Sequence, residues 1–432
     1  MRAAPAPPAP AAECAIGAGQ LARLREVLAT VLEGNLFYRG KLGAAGLSDA
    51  AEVSTASDYA RLPFTTKEEL SLDQAGHPPY GTNLTFGRDR YTRLHLTSGT
   101  TGERLRWLDT AESWDWWGRC WGEVYAGAGV RSSDRIFFAF SFGPFIGFWS
   151  ACEGARRLGA LIIPGGGMSS QQRVRAIAAN QATVLVCTPT YALHLAEVAG
   201  GLGVGLSSGS VRTTIHAGEP GAGLPATRAR IEAAWGARCF DHAGATEVGA
   251  WGFECGERSG MHLNEEEFIF EVLTPGGSEP ATEGELVVTN LGRAGMPVIR
   301  YRTGDLVRLA GDGPCRCGRP GRRLQGGVIG RLDDALLIRG TNVYPSAIEN
   351  VVRRFPQVTE FAVDVRRRSA LDELEVRVEL DAADPDRLES ELAQALHGGL
   401  GLRAAVAAVP AGTLPRFELK ARRVTDHRAT DG

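Results

Sequence analysis

The sequence predicts a large α/β domain, with mixed sheets covered by helices, followed by a small α+β domain. Three observations predict it. Between about residues 130 and 250 short apolar runs alternate with helical patterns, the alternation that builds a mostly parallel sheet. From 265 onward apolar and polar residues alternate instead, as in half-buried antiparallel strands. After residue 330 the order is strand, helix, two strands and helix, which suffices for a separate unit of about 100 residues.

Taken in order, residues 1–17 are rich in Ala and Pro and lack a leucine-rich stretch, so they read as a disordered tail rather than a signal peptide. Residues 18–42 carry apolar positions at helical spacing and predict one amphipathic helix. The runs 135–140, 160–166, 182–190 and 211–221 are the expected parallel strands, with helices 148–158 and 188–199 among their connections. In such sheets ligands sit at the carboxyl ends of the strands, here the turns 141–145, 216–220 and 241–247. Residues 265–273 and 284–290 are the expected antiparallel strands. Past a junction near Arg331 to Asp333, residues 335–340 read as a strand, 345–355 as a helix, 358–367 and 373–382 as strands, and 386–400 as a helix. The expected division is therefore 18–329 for the large domain and 330–432 for the small one, with no internal repeat.

Composition narrows the function. With 44% hydrophobic and 22% charged residues the chain belongs with ordinary globular proteins. A net charge of −3 with dispersed basic residues argues against a nucleic-acid partner. No apolar run reaches the roughly 18 residues a membrane helix needs, which argues against a membrane partner. Eight cysteines without dense spacing suggest a reducing cytoplasm. Of the 47 basic residues only Lys41, Lys67 and Lys420 are lysines, so each one invites a reason.

The stretch "LTSGTTGERL" (96–105) places glycines and hydroxyls after an apparent strand. Glycine lets backbone approach a ligand, and hydroxyls and exposed N–H groups suit an anion such as phosphate; the same residues also make surface turns. It is not a Walker loop, because Glu103 stands where a lysine is needed. Further along, Glu247 in "DHAGATEVG" can hold a hard cation, and Asp305 in "YRTGDL" (301–306) reads as a turn carboxylate able to accept two sugar hydroxyls. "GRLDDALLIRGTNV" (330–343) and "LPRFELKARRV" (414–424) complete a series that describes a nucleotide-using enzyme.

In this order the motifs resemble the adenylate-forming enzymes, and within them the phenylacetate–CoA ligase branch, over roughly residues 60 to 425 beginning with "LPFTTKEEL" (62–70). The resemblance implies a two-step reaction: carboxylate plus ATP gives acyl-adenylate and pyrophosphate, and a thiol then displaces AMP. It implies that Ser98, Gly99, Thr100, Thr101 and Gly102 hold the β- and γ-phosphates, and that Glu247 binds Mg2+, which offsets charge on phosphate oxygens. Gly218, Glu219 and Pro220, with Asp241, His242, Ala243 and Thr246, would surround the adenine end of ATP, and Asp305 and Arg331 would grip the ribose. Lys420 matches the late lysine that bridges acyl carboxylate and ribose, a charge aimed where the transition state becomes negative. Lys420, Glu247, Asp305 and Arg331 are thus the expected catalytic set. Asp333 would be the hinge about which a mobile small domain turns between the half-reactions. One departure stands out: the branch's phosphate loop commonly continues with lysine, and here Arg104 or Arg106 must supply the charge if anything does.

The segment "SFGPFIGFW" (141–149) is glycine-rich and aromatic, which suits a flat ring. An aryl acid, benzoate-, anthranilate- or phenylacetate-like, is the expected substrate. Phe142, Phe145, Ile146, His216, Ala217 and Ala243 are candidate wall residues, each equally readable as core. Coenzyme A is the family's thiol; a carrier-protein phosphopantetheine, or an amine or hydroxyl acceptor, stays open, as does a homodimer. A catalytically silent nucleotide-binding relative is the alternative of another class, against which the joint retention of Glu247, Asp305, Arg331 and Lys420 argues. Separately, Cys255, His262, Cys315 and Cys317 supply the soft ligands that tetrahedral Zn2+ prefers, with buried inert cysteines as the competing reading. The resemblance adds to the zinc reading, since some relatives in this branch look similar at these four positions and carry a structural zinc there.

Overall fold

Parallel strands need crossover connections, and the spacers between the apolar runs are long enough to supply helices. The computed structural model describes residues 16–97, 104–141, 143–311, 313–368, 371–418 and 420–428. Strands Leu161–Pro164, Arg135–Phe138, Val184–Cys187, Thr213–His216 and Arg238–Ala245 lie side by side in that order as the parallel half of an eleven-stranded sheet. Helices Ile146–Leu158, Ser170–Ala179, Pro189–Gly201 and Pro225–Trp235 connect them. The sheet continues antiparallel through Gly249–Glu254, Met261–Leu263, Arg323–Arg331, Tyr301–Leu309, Glu283–Asn290 and Phe268–Leu273. One face of the parallel half, with Phe138, Val186 and Ile215, packs against helix Ala111–Gly127, whose Trp116, Trp117 and Trp121 are buried. The other face, with Phe137, Leu185 and Cys187, packs against Tyr191, Leu195 and Trp235 of the crossover helices.

Four expectations are corrected. The single helix over 18–42 is two, Ala18–Gly34 and Leu36–Ala44. Asn35 breaks it: its side chain accepts from Tyr38 N to cap the second helix, and its Nδ2 donates to Asn83 and Thr85 in a buried cluster. The tail ends earlier than residue 17, since Ile16 packs against the core of these helices; residues 1–15 lie outside the described residues. The strands Phe268–Leu273 and Glu283–Asn290 are buried on both faces rather than one. Their charged members are tolerated because they are paired: Glu271 accepts from Arg300 at 2.7 and 2.9 Å, and Glu285 pairs with Arg302. Finally, the stretches around 241–245 and 301–306 are strand rather than turn, although Gly304, at φ +73°, bends the second of them beside Asp305.

The small domain has its own four-stranded sheet, ordered Ala405–Val409, Leu371–Leu380, Val358–Arg368, Val424–Asp426, with helices Pro345–Val352 and Pro385–Leu400. Its separate core includes Ile348, Val363, Val376 and Leu392. The strand expected over 335–340 is half of a hairpin, Leu336–Ile338 with Thr341–Val343. The strands Ala405–Val409 and Val424–Asp426 carry no period that announces them. Among the described residues no helix is long and apolar enough to cross a membrane.

Candidate active site

The strand Thr213–His216 ends at the sheet's carboxyl edge, and the chain turns there at Gly218, whose φ of +98° favours glycine. A Cβ at Gly218 would lie 3.4 Å from Lys420 Cε, so the lysine side chain crosses directly over this turn. Glu219 fixes that approach. Its carboxylate accepts from Thr190 N, in the first turn of helix Pro189–Gly201, at 3.0 Å and from Ala421 N at 2.7 Å. Burial, with Glu349 adding, raises Glu219 above its ordinary value.

Part of Lys420 is exposed, while its ammonium end lies among the groups beside the Gly218 turn. Burial of its ammonium, with Arg331 adding, lowers its pKa, while Glu219, Glu247 and Asp305 pull the other way. These five groups therefore feel one another across a single cleft. Asp305 and Arg331 are register partners on adjacent strands, with Arg331 Nη1 3.4 Å from Asp305 Oδ1. Arg331 also donates to Asp333 at 2.8 and 3.1 Å, so the expected ribose and hinge residues are joined. Burial pushes the Asp305 carboxyl up to about 6, against the pull of Arg331, with Glu247 and Asp333 adding to the rise.

Glu247 accepts from the Tyr301 hydroxyl at 3.1 Å. Its backbone is braced by a residue that sequence reasoning missed: Arg293 Nη1 donates to Thr246 O at 2.6 Å and to Glu247 O at 3.3 Å. Arg293 in turn meets Asp109 through two 2.8 Å bonds, both side chains fully buried. Nothing in the spacing around Arg293 marks it; Tyr301 could have been found as the first letter of "YRTGD".

The residues expected on the adenine side are held by their neighbours. Asp241 lies against Gly223 and Gly327, where a Cβ would fall 2.7 and 3.0 Å from its Oδ2. Burial and then Glu254 raise Asp241 well above its ordinary value, with Arg228 opposing. The His242 Nδ1–H donates to Gly252 O at 2.6 Å and its ring packs on Trp121; burial lowers it to about 4. His242 is therefore neutral near pH 7, with its Nδ1–H committed to the backbone. Ala243 and Ile146 pack in one core with Phe140, whose ring stacks on Phe148 at 3.8 Å. His216 is the register partner of Cys187 and so shares its face of the sheet, away from Ile146 and Ala243; its Nδ1–H donates to Cys187 O at 3.1 Å. Ala217 is half-buried beside it. Phe145 is half-buried under the Arg104 guanidinium, 5.4 Å from its ring. Pro220 is exposed at the end of the turn.

Ser98, Gly99, Thr100, Thr101, Gly102, Glu103 and Phe142 lie outside the described residues. The neck of that loop is described: Thr97 N donates to Leu105 O at 3.0 Å, and Leu105 N to Thr97 Oγ1 at 3.1 Å. Leu96 N donates to Pro144 O at 2.7 Å, which brings the neck against the 141–145 segment. Away from this cleft, the ligand atoms of Cys255, His262, Cys315 and Cys317 all lie within 4.8 Å of one another. Cys255 Sγ is 3.6 Å from Cys315 Sγ, and Cys317 Sγ is 3.5 Å from His262 Nε2. Around a tetrahedral Zn2+ such edges measure about 3.8 and 3.6 Å, from bonds of roughly 2.3 Å to sulfur and 2.0–2.1 Å to nitrogen.

Lys420 from the small domain, lying over the Gly218 turn among Glu219, Glu247, Asp305 and Arg331, fits the class that the relatives define, the AMP-forming acid–CoA ligases. The chain belongs to the phenylacetate–CoA ligase family. It is 33% identical to the phenylacetate–coenzyme A ligase of Thermus thermophilus, covering 94% of this chain and 95% of that one, and 34% identical to the Escherichia coli enzyme, covering 95% and 94%. Residues 340–428 match the AMP-binding enzyme C-terminal domain. The structure is similar to 2-hydroxyisobutyryl-CoA ligase in its postadenylation state, with a TM-score of 0.90 at 30% identity over 97% of this chain and 92% of that one. Against the same ligase in its thioesterification state the TM-score is 0.70, at 31% identity over 95% and 90% of the chains. The overall arrangement here is thus nearer to that ligase's postadenylation structure than to its thioesterification structure.

Proposed function

We propose that the protein activates an aromatic carboxylic acid as its aryl-adenylate and transfers the acyl group to coenzyme A. The carrying observation is the convergence of Lys420, Glu219, Glu247, Asp305 and Arg331 on one cleft beside the Gly218 turn. In the first step a carboxylate oxygen attacks the α-phosphorus and pyrophosphate leaves; Lys420 holds the carboxylate and the developing negative charge. Asp305 accepts ribose hydroxyls and Arg331 orients it, while residues 98–102 cradle the outgoing phosphates. Mg2+, when bound, neutralises charge on those phosphates, and Glu247 would hold it. In the second step the thiolate attacks the acyl carbonyl and AMP leaves. For this the small domain, which we place at 330–432 against 18–329, turns about Asp333 and withdraws Lys420.

The aromatic assignment rests on the Phe140–Phe148 stack beside Ile146 and Ala243, on half-buried Phe145, and on relatives named for phenylacetate. The likeness to 2-hydroxyisobutyryl-CoA ligase favours a small aliphatic hydroxy acid as the second reading. The Cys255, His262, Cys315, Cys317 cluster fits a closed structural Zn2+ site, with all four ligands from protein. ATP–pyrophosphate exchange against a panel of aryl and aliphatic hydroxy acids decides the substrate. Exchange with an aryl acid, lowered about 100- to 1000-fold in Lys420→Ala, is expected for removal of a charge aimed at the transition state. Exchange confined to aliphatic acids would overturn the aromatic reading.

A further inference from the structure

Helix Pro225–Trp235 belongs to the large domain, yet Arg230 spends every guanidinium nitrogen on the small one. Nε donates to Arg353 O at 2.9 Å, Nη1 to Val358 O at 2.9 Å, and Nη2 to Phe355 O. These carbonyls close the end of helix Pro345–Val352 and the turn after it. Carbonyls at a helix end lack intrahelical donors, and the helix dipole favours a cation beside them. Burial, with Arg353 adding, lowers Arg230 to about 10, so it remains charged at neutral pH. The surfaces beside the fork are not close-packed: a cavity of about 240 Å³ opens there, lined among others by Arg230, Arg353 and Arg416. Directed polar contacts span this part of the boundary, the fork and Arg416 on Glu197 at 3.1 Å among them.

A short physical path links the fork to the catalytic lysine. Val358, held by Arg230, begins the strand that carries Glu360. Glu360 accepts from Arg423 at 2.7 Å, and Arg423 lies just beyond Lys420 and reaches Thr190 Oγ1 at 3.3 Å. Rotation of the small domain about residues 331–333 would carry all three carbonyls away and leave Arg230 behind. We propose that Arg230 is a positioning residue for adenylation: it docks the small domain in the orientation that delivers Lys420, and it must release before the thiol step. This rests on the reading of Lys420 given above.

The test compares Arg230→Ala, Arg230→Gln and Arg230→Lys with the unaltered enzyme, using the acid that supports exchange. Pyrophosphate exchange at saturating substrates is expected to fall about tenfold in the Ala and Gln variants, equivalent to about 1.4 kcal/mol. The KM for ATP, and thioester formation from added acyl-adenylate and coenzyme A, should not fall. Lysine should restore only part, because one ammonium cannot meet three carbonyls in a fork's geometry. In substrate-free protein, peptides spanning 416–425 should exchange amide hydrogen faster in the variants, since Ala421 N–H loses its Glu219 acceptor. Parallel loss of both half-reactions, unchanged exchange, or full rescue by lysine would overturn the proposal. If the unaltered enzyme itself shows no exchange, the reading of the site fails, and unchanged protection of 416–425 in all three variants would then reject the docking role separately.

Discussion

Replacing Arg293 with alanine tests how the Glu247 turn is held. Arg293 and Asp109 are fully buried and share two 2.8 Å hydrogen bonds. Without the guanidinium, Asp109 keeps His95 nearby, with Nδ1 3.9 Å away. Removing one partner of such a pair costs about 3–5 kcal/mol, because the other charge stays buried. The guanidinium lies 5.0 and 5.4 Å from the rings of Trp107 and Trp117, so denaturant unfolding followed by tryptophan fluorescence reads the loss locally. The pH dependence identifies the cause. Burial pushes Asp109 up, but Arg293 and His95 overcome it and hold the carboxyl below its ordinary value. In the unaltered protein the pair's stabilisation is therefore complete above the unfolded carboxylate range and is lost only as pH falls through the lowered folded value. In the variant burial acts nearly alone, the Asp109 pKa rises, and the deficit should shrink as pH is lowered toward 5. Adding Asp109→Asn should recover part of the stability at neutral pH. A deficit below about 1 kcal/mol, the range of exposed pairs, or one indifferent to pH would refute the reasoning.

The cysteine cluster should carry about one zinc per chain by elemental analysis, with Cys315→Ser losing it and a chelator lowering the melting temperature. Zinc-free protein that melts unchanged after zinc is supplied would reject the site. The KM for ATP should rise as pH falls through about 6, where Asp305 gains a proton and loses acceptor capacity, and Asp305→Asn should show a weaker grip without that inflection. Stability runs the other way. Because the folded pKa is raised above the ordinary carboxylate value, the folded state binds that proton more tightly, so Asp305 favours folding least once pH exceeds about 6.

Strand–helix alternation over 130–250 was legible because a parallel strand buried on both faces must be a short apolar run, as "VLVC" of Val184–Cys187 is. The antiparallel strands were legible as strands but not in their burial. A period of two marks opposite faces and cannot say that Glu271 will find Arg300 inside. Asn35 illustrates another limit: the helical period runs through it, and only contacts with Asn83 and Thr85, distant in sequence, turn it into a break. In the site, residues in short motifs were legible because close backbone approach demands glycine at one position, as at Gly218. Arg293 and Arg230 were not, since their partners are a buried carboxylate and bare carbonyls from remote segments.

The scarcity of lysine gives the last test its sense. Arginine makes most of the ion pairs of this protein, among them Arg293 on Asp109 and Arg423 on Glu360. A guanidinium meets carboxylates through several directed, bidentate bonds, whereas an ammonium is a compact, strongly hydrated point charge. Lys420 has to leave a cleft lined by the carboxylates of Glu219, Glu247 and Asp305, where a point charge releases more readily than a bidentate fork would; Arg230 meets only neutral carbonyls. Lys420→Arg would keep the charge among Glu219, Glu247 and Asp305. Adenylation should therefore survive better than in Lys420→Ala. The fork, however, would hold these carboxylates bidentately and delay withdrawal, so thioester formation should become the slow step, with acyl-adenylate accumulating on the enzyme. Single-turnover rates of the two half-reactions measure this directly. If the arginine variant performs both steps at the unaltered rates, geometry is not what retains lysine here; if adenylation is lost as in the alanine variant, the cleft needs the ammonium's smaller size rather than its ease of release.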